Sequence, residues 1–366
     1  MYFFTTGTIL KKLFEEQGRI RIPKDRLLLF KAMLKLKTIY ATDIDENWGK
    51  KIYQNYQIRI NTRYEDKIRE IATNPSVVLD MPAGVYLLNL DFSKINNLNT
   101  DYGTLAISME DNKSNAQFYY YLSDRNIEFS PENSEIYQKG WNTVLKDLIS
   151  LPSSAIIFID RYLFKSYVEE TKQNIREVLE QLLPKSFSKG YQYHVSFIFD
   201  LNALPEMPFE NLSMEITSAV KTLRPNIEMQ VELIGVSNTY KSFYHDIHNR
   251  RIISDYYIVR ADNSLRAYSQ PTDDNGDVLP EAILNKSNCL QTLTPQRLFT
   301  MNSLDAQSDA PVKSINTTIK SIQRFSAKIK KIQKTKLEKS WGIDFIYSLN
   351  GEIMDLENGI QNRLII

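Results

Sequence analysis

Chemistry at a phosphodiester needs a cation to hold the non-bridging oxygens and a group whose proton can move near neutral pH. Residues 243–259, FYHDIHNRRIISDYYIV, contain both, because His248, Arg250 and Asp255 stand in the spacing HxRxxxxD. The same stretch holds His245 and His248, two of the three histidines in the chain. Alternate residues of extended backbone share a face, so His248 and Arg250 project together: Arg250 would clamp a phosphate while His248 attacks it. Asp255 falls on the other face of an unbroken strand, so bringing it beside His248 requires a bulge, a bend or a second copy of the motif. The plainer reading makes His245 and His248 polar residues of a loop–strand junction, with Arg250 and Arg251 paired to acids such as Asp246 and Asp255.

These residues need a scaffold, and from Leu151-Pro152-Ser153-Ser154 onward strand-like and helix-like segments alternate as in an α/β domain with a partly parallel sheet. Ala155 to Asp160 reads as a strand, and Ser166 to Leu183 as a helix closed by Pro184, with Ile175, Val178, Leu179 and Leu182 on one face. Tyr193 to Leu201 and Met229 to Val236 follow as strands around a helix from Leu212 to Leu223. Ile252 to Val259 completes the series as one further strand. WGIDFIYSL, near the end, reads as a closing strand followed by a polar tail.

Residues 1–150 read as a mixed α+β domain. Thr8 to Gln17 and Lys24 to Lys37 have helical periodicity, TLAISME and AQFYYYLS are strand-like, and SVVLD with GVYLLNLDF flank Met81-Pro82-Ala83-Gly84 as a hairpin would. The domain expectation is therefore 1–150 and 151–366.

The segment His248-Asn249-Arg250-Arg251-Ile252-Ile253-Ser254-Asp255 resembles the HxKxxxxD signature of the phospholipase D superfamily. The resemblance spans about the C-terminal 200 residues and implies an α/β fold with a mixed sheet flanked by helices and a motif-bearing strand. It also implies His248 as nucleophile, Arg250 as phosphate clamp and Asp255 as orienting group. Arg250 stands where active members usually carry lysine, which keeps the charge and changes its geometry. Where such members continue with Gly-Ser and Asn, this chain reads Ala261-Asp262-Asn263-Ser264. Active members also join two copies of the motif, whereas this chain has one, so activity would require a homodimer. Altered domains of this kind occur as noncatalytic binding modules.

Other candidates are fewer. Asp160 and Asp200 end the apolar runs IIFID and SFIFD, where open α/β sheets present ligand groups. With Asp43 or Glu232 they would make a magnesium-dependent nuclease resembling PIN-like or NYN-like proteins, and otherwise they cap the helices that follow. Asp43 and Asp45 in ATDIDEN need no metal, and Thr5-Thr6-Gly7-Thr8 lacks the spacing of a phosphate loop.

The chain has a net charge of +1, but Val312 to Lys339 holds nine Lys or Arg against Glu338 alone. Apolar residues at 312, 315, 319, 322 and 329 make this a helix with one buried stripe. Lys320, Arg324, Lys328 and Lys331 would then join Arg251 in contacting DNA or RNA backbone.

With 42% hydrophobic and 24% charged residues the 366-residue chain has globular composition. Its single cysteine, Cys289, excludes an internal disulfide and fits a reducing cytosol. The N-terminal MYFFTTGTILKKLFEEQ lacks the pattern of a secretory signal. No apolar run approaches the roughly 20 residues of a membrane span. The sequence thus leads to a cytoplasmic bacterial protein without a cofactor: a nucleic-acid-binding component with a degenerate phospholipase D-like domain. A place among protein partners in a larger assembly, such as an antiphage defence system, would suit it. The alternatives are a metal-independent phosphodiesterase using His248 in a homodimer, or a metal-dependent nuclease using Asp160 and Asp200.

Overall fold

The computed structural model describes residues 2–16, 38–108, 151–165, 169–200, 209–236 and 250–261, together with 30, 33–34, 145, 148, 203, 207, 293–297, 320, 323, 346–348 and 362–365. The chain divides into two compact units, and among the described residues the first carries five strands and the second seven. Both are α/β.

In the first unit, β1 (Tyr2–Thr6) runs into helix α1 (Gly7–Glu16), and β2 (Thr38–Thr42) is followed by α2 (Glu46–Tyr56). Then come β3 (Arg59–Asn61), α3 (Glu65–Glu70), a 3-10 helix (Pro75–Asp80), β4 (Gly84–Leu88), α4 (Phe92–Asp101) and β5 (Leu105–Ser108). The sheet order is β3-β2-β1-β4-β5, and every pairing is parallel. Parallel strands covered on both faces read as continuous apolar runs, and all five residues of β4, GVYLL, are buried. Helix starts are capped where the sequence offers an acid: Asp45 accepts the Trp48 amide at 2.8 Å and Asp91 the Lys94 amide at 2.9 Å.

This corrects the α+β expectation for the first unit and the hairpin around Met81-Pro82-Ala83-Gly84. Pro75 begins the 3-10 helix, and Val77 and Val78 join Ile68, Ile71, Ile95 and Leu98 in a core cluster instead of entering a ladder. The apolar residues of SVVLD are buried by helix packing, which a strand-like composition does not distinguish from pairing. The expected helix Lys24 to Lys37, apart from Phe30, Met33 and Leu34, and the strand AQFYYYLS lie outside the described residues.

The second unit contains β6 (Ala155–Ile159), α5 (Glu169–Leu182), β7 (Tyr193–Asp200), α6 (Phe209–Leu223) and β8 (Met229–Val236). It continues with β9 (Arg251–Ser254), β10 (Tyr257–Ala261), β11 (Leu293–Arg297) and β12 (Ile346–Ser348). The order is β11-β10-β9-β6-β7-β8-β12. β6, β7 and β8 pair in parallel, as two helical crossovers require, whereas β9 runs antiparallel to β6 and β12 antiparallel to β8. The expected single strand Ile252 to Val259 is instead a hairpin, β9 and β10, turning on Asp255-Tyr256, with Ile253 opposite Ile258. Among the described residues no helix is long and apolar enough to cross a membrane.

Two measurements probe the first unit. A Cβ on Gly7 would lie 2.5 Å from the Asp43 carbonyl oxygen and 2.7 Å from that of Thr42. Both atoms are backbone, so Gly7→Ala is expected to lower stability by about 2 kcal/mol in urea unfolding.

The second concerns Asp43, which accepts the Thr42 hydroxyl at 2.6 Å and Arg69 Nη2 at 2.8 Å. The Thr42 bond first, and Arg69 second, hold the Asp43 carboxyl below its ordinary value. The folded state therefore favours the ionised form, giving stability above the ordinary carboxylate range that disappears as pH falls through it. Wild type should exceed Asp43→Asn in urea midpoint near pH 6, and the difference should shrink as pH is lowered below the ordinary carboxylate range.

Candidate functional site

The carboxyl ends of β6, β7 and β8 form one edge of the second sheet, the edge at which open α/β sheets bind ligands. Because β9 is antiparallel, its first residues arrive at the same edge: Arg251 lies level with Ile159, and Arg250 continues beside Asp160. The register therefore delivers Arg250 and Arg251 to the ligand end of the sheet.

Asp160 is wholly buried, which requires a compensating partner. Arg250 Nε lies 3.4 Å from Asp160 Oδ1, with the arginine side chain 21% exposed. The same Oδ1 accepts the Tyr162 amide at 3.0 Å and closes a turn. One strand away, Asp200 Oδ2 accepts Arg161 Nε at 3.0 Å. Since Ile159 pairs with Ile198, Asp200 lies one residue farther along than Asp160, and the pleat directs the two carboxylates to opposite faces.

Each aspartate thus holds an arginine. Among the described residues there is no group of three or more His, Cys, Asp or Glu side chains that could hold a metal. Glu232, considered as a third ligand, is buried four residues back on β8, where it accepts Ser196 Oγ at 2.9 Å and Gln230 Nε2 at 3.3 Å. The sheet does not bring Glu232 to Asp160 and Asp200. Asp43 belongs to the first unit.

Arg250 and Asp255 are not brought together either. Four residues of β9 separate them, roughly 16 Å of extended chain. Asp255 occupies the hairpin tip at the opposite end of β6, where its Oδ2 accepts the Ala155 amide at 3.2 Å and its Oδ1 lies 3.9 Å from Arg363 Nη1. The parity that set Asp255 apart from His248 in the sequence is resolved by the turn, which gives this aspartate a structural bond. Residues 250–255 are therefore pinned to both ends of β6 by different partners, Asp160 at one and the Ala155 amide at the other.

The edge carries more positive charge than the motif alone provides. Arg161 and Lys165 approach the Tyr162 ring at 5.1 and 5.4 Å, and Arg260 stands opposite Arg251 across the hairpin. Sequence reasoning did not select Arg161, Tyr162, Lys165 or Arg260. For the first three a signal existed, since DRYLFK directly follows the strand IIFI and so had to begin at its carboxyl end. Arg260 became informative only through the β9–β10 register.

His248, Arg324, Lys328 and Lys331 lie outside the described residues, as does His245. Lys320 is helical and exposed.

Removing one partner of a buried pair leaves the other charge uncompensated, so Asp160→Asn should cost about 3 kcal/mol in chemical denaturation. Asp160→Asn with Arg250→Gln should cost less than the two single changes together; strict additivity would show that the pair is not coupled.

No family model matches the chain, and comparison with curated proteins and with solved structures found no match.

Proposed function

We propose that this chain binds DNA or RNA through the carboxyl edge of its second sheet, as a degenerate phospholipase D-like module that holds phosphate without turning it over. The observation that carries this reading is the presence of Arg250, Arg161 and Lys165 at the ligand end of the sheet, with Arg250 paired to Asp160 on one face and Arg161 to Asp200 on the other. An arginine fixed by a buried carboxylate loses little further freedom when it meets a phosphate, and its planar fork suits the two non-bridging oxygens of a diester.

The motif's departures support binding over chemistry. Arg250 replaces lysine, the Gly-Ser element is Ala261-Asp262, and Asp255 is committed to the Ala155 amide and lies at the far end of β9 from Arg250. Lys320 is exposed, and the sequence from Val312 to Lys339 is basic.

Fluorescence anisotropy with labelled single-stranded and duplex oligonucleotides, with and without EDTA, tests the reading. Binding should weaken linearly in log Kd against log salt, and Lys165→Gln, an exposed change, should reduce that slope by about one. No cleavage is expected in either condition. Cleavage that survives EDTA and is lost in His248→Ala would replace the reading with a metal-independent phosphodiesterase, and cleavage abolished by EDTA would replace it with a metal-dependent nuclease. Absence of salt-dependent binding would remove nucleic acid as the ligand.

A further inference from the structure

One end of the first sheet carries positive charge without matching acids. From Asn47 to Arg63 the chain has four Lys or Arg and no Asp or Glu. These residues form α2 and β3, and β3 stands at the end of the sheet order, with Arg59 and Asn61 exposed and Ile60 half-buried between them. The acids that follow, Glu65 and Asp66, both pair with Arg69. Arg59 and Arg63 meet rings instead, Arg59 lying over Tyr53 at 5.8 Å and Arg63 over Tyr64 at 5.4 Å. Neither has a carboxylate partner among the described residues.

Tyr53 and Tyr56 stand three residues apart on α2, so they share a face, and they are 41% and 37% exposed. Tyr56 is held from behind by Phe14 at 5.0 Å and Phe30 at 6.1 Å, and Tyr53 is held by Arg59. Rings fixed in this way lose little freedom when something stacks on them. The apolar stripe of α2 is already used, since Ile52 is buried, and Gln54, Asn55 and Gln57 are exposed around the rings. What remains is flat and polar, unlike the apolar centre of a protein interface. Unpaired bases offer flat faces and the phosphates between them need cations, so interleaved rings and guanidinium groups match a single strand.

We propose that the α2–β3 end of the first unit is a second nucleic-acid surface, specific for single strands, on which Tyr53 and Tyr56 stack bases while Lys51, Arg59 and Arg63 contact the backbone. The ligand class is that of the reading above, but this surface rests on its own rings and cations and does not depend on the second sheet.

The full chain is tested by anisotropy with a labelled single-stranded oligothymidine and with a labelled duplex. Tyr53→Ala should weaken single-strand binding about tenfold with the salt slope unchanged, and should leave duplex binding as it was, because paired bases present no free face. Tyr53→Phe should retain wild-type affinity, since the ring remains. Arg59→Gln should lower the single-strand slope by about 0.7. Both positions are exposed, so the thermal midpoints of these variants should match wild type.

If wild type binds and both Tyr53→Ala and Arg59→Gln bind single strands equally well, this surface is wrong, while a reduced slope in Lys165→Gln keeps the second-sheet reading. The converse pattern, with Lys165→Gln silent and Tyr53→Ala weakened, supports this surface and removes the other. Equal loss of single-strand and duplex binding in Tyr53→Ala would overturn stacking, as would absence of single-strand binding by wild type. Displacement of the oligothymidine by polyglutamate as readily as by unlabelled oligothymidine would replace the single strand with an acidic protein partner.

Discussion

A carboxylate with no exposure to water is the constraint around which the second unit is arranged. Asp160 ends β6 in the interior, and its charge is tolerable there only with a cation beside it. That cation is Arg250, which arrives because β9 runs antiparallel to β6. A shift of β9 by one residue would direct Arg250 to the other face and away from Asp160, so the ion pair and the strand register specify each other. Asp255 performs the matching task at the other end of β6 by accepting the Ala155 amide. One strand is thereby fixed at both ends, and the arginines that follow from its register are presented at the sheet's ligand edge.

A second buried polar group works on the same sheet. Asn362 is fully buried and donates to Ser196 Oγ at 2.8 Å and to the Ile156 carbonyl at 3.2 Å, while the Arg363 amide donates to His194 Nδ1 at 2.9 Å. Residues 362–365 therefore belong to the folded unit, with Ile365 buried beside them. His194 serves as an acceptor in this network. Satisfied networks of this kind select one arrangement over others, because each partner left unbonded inside would be costly.

In the first unit aromatic packing ties the central strands together, and its ion pairs lie at more exposed positions. Phe4 on β1 stacks against Tyr86 on β4 at 4.6 Å and against Tyr40 on β2 at 5.5 Å, tying the three central strands together on one face. Burial holds the Tyr40 phenol above its ordinary range, in keeping with a ring used for packing. The tyrosine-rich composition, which also fits a stacking platform for bases, is in these positions part of the core.

Much of the second unit was legible in the sequence because its strands and helices differ in period. Met229–Val236 is the strand that its alternation describes, and IIFID and SFIFD end in aspartates where a parallel sheet puts its ligand edge. The N-terminal sheet was less legible, since SVVLD carries the residues of a strand but lies behind Pro75 and is buried by helices. Apolar residue types report that a segment is buried, not what buries it. In the same way the spacing HxRxxxxD identified a charged segment worth attention and nothing about which residues meet. Only tertiary structure decided that Arg250 belongs with Asp160 and Asp255 with Ala155, because partners 90 and 100 residues apart are chosen by strand order and register, and neither is written in local sequence.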